Sequence, residues 1–224
     1  MATASSIQSR VNYGYGKVAS ILGAPYSWYR PAAPGAVVQP ANLLGSVLAY
    51  VTASRSLNPG PSGVGKPDRY AAFDPTNFLA GDYLVGPETY FLGEAMPITG
   101  LSHLLLCNET FTLSRRGEQA PGEDYVGGGL QSNAVVAVAF PGWIKSGDRR
   151  QASNLHLPGE VEMPTVNILL PVSIPAQVLR GDELTTSDVT ASRWVVQAAD
   201  LTPMGWSLIA VESGAASPSN TTAF

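Results

Sequence analysis

The sequence predicts a mainly β protein made of two tandem, internally repeated small β-barrel or sandwich modules, with a short N-terminal helix and an extended arm in front. Three observations lead there. The chain repeats itself: residues 81–106 (GDYLVGPETYFLGEAMPITGLSHLLL) and 181–210 (GDELTTSDVTASRWVVQAADLTPMGWSLIA) share a Gly-Asp opening, an aromatic strand, an Ala-containing bend and a final apolar strand. Phe91-Leu92-Gly93-Glu94-Ala95 lies over Trp194-Val195-Val196-Gln197-Ala198 and Ile98-Thr99 over Leu201-Thr202, at a constant offset of 103 with three extra residues in the second turn. A repeated unit constrains architecture before any local feature does. The apolar runs are also short and rich in β-branched and aromatic residues, and they are punctuated by 18 Pro and 23 Gly, as strands and turns require. Finally, 224 residues suffice for two modules of about 100 residues, each large enough to bury a core.

The elements follow in order. Residues 5–22 carry Ile7, Val11, Val18, Ile21 and Leu22 near helical spacing, with Ser5 or Ser6 to cap the start and Gly23 and Pro25 to end it. Gly14 and Gly16 weaken the middle, each by about 1 kcal/mol relative to Ala, so this helix is marginal and open to a break at 14–16. In residues 24–31, APYSWYRP, aromatic side chains sit between prolines that oppose regular structure. Tyr26, Trp28 and Tyr29 with Arg30 then form an arm, which either folds back on the first module or docks a neighbouring subunit.

Strands are expected at 46–55, 69–73, 82–85, 89–95 and 101–113, the last long enough to bend and cross from one barrel face to the other. Asn58–Asp68 is a Gly/Pro loop, and Arg115–Gly129, with three consecutive glycines at 127–129, reads as a linker. The second half repeats the plan with strands at 133–140, 165–171, 182–186, 192–198 and 206–212. A polar excursion, Lys145–Pro164, holds Arg149, Arg150 and His156 and is a contact candidate. The domain plan is therefore helix and arm at 1–40, a first β module at 41–115, a linker at 116–131, a second β module at 132–212 and a flexible tail at 213–224.

Composition narrows the function. Only 13% of residues are charged, against about 25% in typical soluble domains, so much of the surface is uncharged and suited to packing against neighbours. A net charge of −4 and a pI near 5.1 supply no basic footprint for sequence-reading contact with nucleic acid. They are compatible with a channel through which DNA slides. Cys107 stands alone, which excludes an intrachain disulfide scaffold. No apolar run approaches membrane-spanning length, and the N-terminus lacks the pattern of a secretion signal. Production in the cytoplasm is expected.

The sequence offers little chemistry. Residues 60–66, GPSGVGK, match a phosphate-binding loop up to the lysine, but Pro67 stands where Ser or Thr would hold magnesium. With two histidines, neither near a nucleophile elbow, a Ser-His-Asp site has no support. His103 aligns with Trp206, a space-filling correspondence, and His103 with Cys107 falls short of a zinc site. Carboxylates for glycoside hydrolysis could come from Asp82, Glu88, Glu94, Glu109, Asp182, Asp188 and Asp200. Asp82 and Asp182 both follow Gly at equivalent strand heads, where turn geometry explains them better. No catalytic, cofactor or metal residue is assigned, and the chain is expected not to be an enzyme.

The pattern GDYLVGPETYFLGEAMP followed by LLLCNE, the ending RWVVQAADLTPMGWSLIA, and TyrArgPro at 29–31 after a Gly-containing helix resemble structural proteins encoded in tailed bacteriophages and prophages. At the level of strand plan each module also looks like the small β-barrels of head–tail joining, or stopper, proteins. The resemblance spans about residues 12–212 and implies a virion protein of the neck or tail. Such a protein would assemble as a ring of copies through heterologous contacts, touch portal, adaptor or tail proteins, and let DNA pass. The interaction residues expected on this reading are Tyr26, Trp28, Tyr29, Arg30, Trp143, Arg149 and Arg150. An alternative is a tail or baseplate module binding host glycans through Trp28, Tyr125 or Trp143, and a carboxylate-based glycan hydrolase is a third reading.

Overall fold

A computed structural model describes residues 4–32, 35–53, 66–94, 101–115, 133–146, 165–187 and 192–215. These form helix α1 (Ala4–Leu22), a short 3-10 turn (Pro40–Asn42) and the strands β1 (Ala24–Tyr29), β2 (Leu43–Thr52), β3 (Asp68–Ala72), β4 (Tyr83–Val85), β5 (Thr89–Glu94), β6 (Ser102–Cys107), β7 (Glu109–Arg115), β8 (Ala134–Ser146), β9 (Thr165–Leu170), β10 (Glu183–Thr186), β11 (Ser192–Thr202) and β12 (Gly205–Ala215). The strands close into two barrels, ordered β1-β2-β3-β6-β5-β4 and β7-β8-β9-β12-β11-β10. Every pairing is antiparallel. Each strand of the first barrel thus has its counterpart six strands later, and closure leaves neither sheet an open edge.

Three expectations change. The segment taken as an arm is β1, paired through Ala24–Tyr29 with β2 and through Ser27–Tyr29 with β4. Pro25 is accommodated because at that position β1 has a partner on one side only, where a missing N–H costs no ladder bond. The expected strand at 101–113 divides at Asn108, and its halves enter different barrels. Asn108 donates from its backbone N to Gly142 O (2.9 Å) and from Nδ2 to Ile144 O (2.9 Å), and accepts from Ile144 N (2.8 Å), which turns the chain onto β8. The boundary between modules is therefore residue 108, with β7 in the second barrel. The expected linker at 116–131 lies outside the described residues.

The repeat also shifts. Gly81 N donates to Leu92 O and Leu92 N to Asp82 O, as Gly181 N donates to Val196 O and Val196 N to Asp182 O. Leu92 therefore corresponds to Val196, an offset of 104 rather than 103, and a β-bulge follows each of them. The second copy's hairpin therefore holds four extra residues instead of three. By the same ladders His103, opposite Glu94, corresponds to Ile209, opposite Ala198, and not to Trp206. A one-residue slip matters because it exchanges the two faces of a strand.

Helix α1 runs unbroken through Gly14 and Gly16. Its stability comes from tertiary contact, which outweighs propensity in short helices: Ala19 is buried in the first barrel's core, and Asn12, also buried, donates to Thr76 Oγ1 at 3.1 Å. Gly23 N donates to Ala19 O and ends the helix. The first barrel closes around Phe73, Leu84, Tyr90, Leu92 and Leu104. The second closes around Phe111, Phe140, Ile168, Leu184 and Leu208, and its apolar cluster continues outward to Tyr83, Phe91 and Leu105 of the first. One core thus joins the two barrels.

Candidate functional site

The repeated Gly-Asp pair builds a clasp in each barrel. Gly81 and Gly181 have φ of 87° and 89°, the left-handed region that glycine adopts without strain. The tight turn aims the next carboxylate inward, leaving Asp82 and Asp182 2% and 1% exposed. Asp82 accepts from Arg30 Nε (2.8 Å) and Nη2 (2.7 Å), from Trp28 Nε1 (2.9 Å) and from the Leu79 backbone N (2.9 Å). Asp182 accepts from Arg115 Nε (2.8 Å) and Nη2 (2.9 Å) and from the Leu179 backbone N (2.8 Å). Each Arg also donates to a neighbouring carbonyl, Asn77 O or Gln177 O. Its hydrogen bonds to the aspartate raise the pKa of Arg30 and of Arg115. Charge-assisted, bidentate pairs of this kind fix geometry, and here they hold the first strand of each barrel to the turn before its fourth.

The residues expected to reach a partner are largely occupied by this framework. Tyr26 is buried 6.0 Å from Tyr90. Trp28 stacks on Phe78 at 4.1 Å, Arg30 holds Asp82, and Tyr29, half-buried, packs against the shared core. Trp143 is half-buried on β8 opposite Leu169. Arg149, Arg150, Tyr125 and His156 lie outside the described residues. The sequence reading missed Arg115 because the two arginines stand 85 residues apart while their aspartates stand 100 apart, which hides the correspondence from any single alignment offset.

The remaining polar groups are dispersed. Burial raises the pKa of Tyr90, and its hydroxyl donates to Glu88. Glu109 accepts from the backbone N of Thr110 at 2.8 Å, and Glu94 and Asp200 are exposed. Asp188 is outside the described residues. Buried His103 meets Asp68 Oδ1 through Nε2 at 2.9 Å and packs 5.2 Å from the Tyr70 ring. Glu183, buried on β10, accepts from Asn133 Nδ2 at 2.8 Å. Burial pushes the Cys107 thiol up. Among the described residues no three metal-ligating side chains cluster, and no helix is long and apolar enough to cross a membrane.

Two surfaces remain for contact. The seam between barrels is occupied within the chain: Tyr83 Oη donates to Pro141 O and Ser173 Oγ to Gly81 O, both at 2.8 Å. Beside it an open groove of about 510 Å³ is lined by Ile174, Pro175, Gln177, Asp200, Leu201 and Trp206. Elsewhere the walls expose large apolar side chains, among them Tyr13, Ile21 and Leu22 on α1, Leu43, Leu44 and Leu48 on β2 and Val135 on β8. Comparison with protein-family models, curated proteins and solved structures finds no match to this chain.

Proposed function

We propose that this protein is a structural component of a tailed-phage virion, part of the head–tail connector (neck or stopper) or of the tail, built by ring-like assembly of copies around a passage for DNA. The observation that carries the reading is the pairing of a rigid body with a sticky exterior. Two barrels share one apolar core, while Ile21, Leu22, Leu44, Val135 and Leu201 stand on the outside, each at least half exposed. Exposed apolar surface on a chain with 13% charged residues favours burial against neighbours. The phage setting rests on the sequence resemblance. Its expected partners are other copies of the chain and adjoining portal, adaptor or tail proteins, with DNA passing unread, and its expected location is the virion.

The test is mass spectrometry of density-purified particles from an induced lysate of the source strain, counting copies of this chain per particle. A fixed, ring-like copy number of about 6 or 12 is expected. Absence from intact particles, with the protein left in the soluble fraction, overturns the proposal.

A further inference from the structure

Barrel two receives barrel one on the face made by β8 and the turn at 171–174, where Ser173 bonds Gly81. The ladders make β2 and the turn at 74–77 the same face of barrel one, and there α1 sits, with Asn12 bonded to Thr76. Helix α1 therefore stands where a preceding module would stand. Its outward residues are what a preceding molecule would meet.

Ile7, Arg10, Tyr13, Lys17 and Ile21 are exposed at spacings of three and four, so they share one helical face. Ile21 and Leu22 end it at 78% and 60% exposure. The helix contains two basic residues and no acidic one. The groove on barrel two is the converse: apolar at exposed Val172, Pro175 and Leu201 over a floor of buried Ile174 and Trp206, with Asp200 as the charged group among its lining residues. Leu201 stands 57% exposed at its rim.

We propose that the last turns of α1 in one copy dock into this groove on a second copy, Ile21 and Leu22 against Ile174, Leu201 and Trp206, with Lys17 paired to Asp200. The inference rests on the self-assembly in the function proposed above and names its contact. Opposite charge selects the occupant, and the groove's size suits one or two helical turns rather than a whole helix. Donor and acceptor lie on different barrels, so the contact is heterologous and propagates from copy to copy, closing into a ring where the rotation allows.

Sedimentation velocity of the purified full chain over a concentration series tests this, using wild type, Lys17→Glu, Asp200→Lys, the double reversal, and Ile21→Asp. All substituted side chains are exposed, and circular dichroism checks that each variant is folded. The expected result is concentration-dependent association in the wild type. Association should be about 10-fold weaker for each single reversal, regained in the double, and weakened roughly 30-fold by Ile21→Asp. A wild type that stays monomeric, single reversals that associate normally, or a double reversal no better than the singles overturns the proposal. The particle count above separates the two ideas: association through this contact by a protein missing from virions would sink the phage reading alone. Incorporation into virions with association indifferent to the reversals would sink this contact alone.

Discussion

The walls β4–β5–β6 and β10–β11–β12 have the same strand plan and different side chains. On the first wall Tyr83, Phe91 and Leu105 lie side by side across three strands, and the ladders put Glu183, Val195 and Val211 at the same places on the second. The first wall is buried in the core shared with barrel two. The second carries a carboxylate satisfied by Asn133, flanked by half-buried valines. Both walls belong to a closed barrel, so barrel formation does not depend on which kind is present. What differs is the neighbour within the chain: the three large apolar side chains of the first wall meet the other barrel, and the positions of Glu183, Val195 and Val211 do not.

The comparison is broken most severely by Phe91→Ala. It removes a fully buried ring from the seam and is expected to cost about 4 kcal/mol, against about 1 kcal/mol for the equivalent Val195→Ala. Urea unfolding of both variants measures the difference, and equal losses would mean that the seam carries no special weight. The clasps come next. Among the described residues, Arg115→Ala leaves the buried Asp182 carboxylate with the Leu179 N–H alone, whereas Arg30→Ala leaves Asp82 with the Leu79 N–H and Trp28 Nε1. Stranding a buried charge costs about 3 kcal/mol or more, and the larger loss is expected for Arg115→Ala.

Gly81→Ala and Gly181→Ala sharpen the same contrast. Both force alanine into a left-handed conformation at about 1 kcal/mol. A Cβ on Gly81 would also lie 2.6 Å from Ser173 Cβ, while one on Gly181 meets open space. Displacing the seam adds about 1–2 kcal/mol, so Gly81→Ala should melt several degrees below Gly181→Ala in a thermal scan.

The smallest effect is alkaline. Burial raises the pKa of Tyr83, Tyr90 and Cys107, all in barrel one, while Glu183 and Trp194 stand at the barrel-two positions of the two tyrosines. A raised folded pKa means that the folded state keeps protons the unfolded chain has released. Stability is therefore full below the unfolded values and falls as pH rises past about 9. Between pH 8 and about 9.5 the loss should be about 1 kcal/mol. Tyr83→Phe with Cys107→Ala should flatten that slope in urea titrations, and an unchanged slope would place its origin elsewhere.

Much of the fold was legible because turns and strands are local. Gly-Asp at 81 and 181, the aromatic strands after them and the helix ended by Gly23 all stand where the sequence puts them. The candidate site was less legible. Tyr26, Trp28 and Tyr29 look like a free arm beside Pro25 and Pro31, and only the partners β2 and β4, distant in sequence, reveal them as barrel wall. The LSHLLLCNETFTL run does not reveal that Asn108 divides it, since strand-forming residues continue on either side of the boundary. The groove joins residues 172–177 to 199–206, an adjacency that no local pattern encodes.

By itself the sequence determined the elements: short β-branched and aromatic runs that pleat, glycines that accept positive φ, and a weakly charged exterior. These depend on backbone sterics and on nearest neighbours. The tertiary structure alone decided which barrel each strand joined, that Arg30 would meet Asp82 and Arg115 Asp182, and that one of two matching walls would become a seam. Those outcomes rest on barrel closure and on the desolvation of groups 50 to 90 residues apart in the chain. Such long-range terms act only once the chain has brought those groups together.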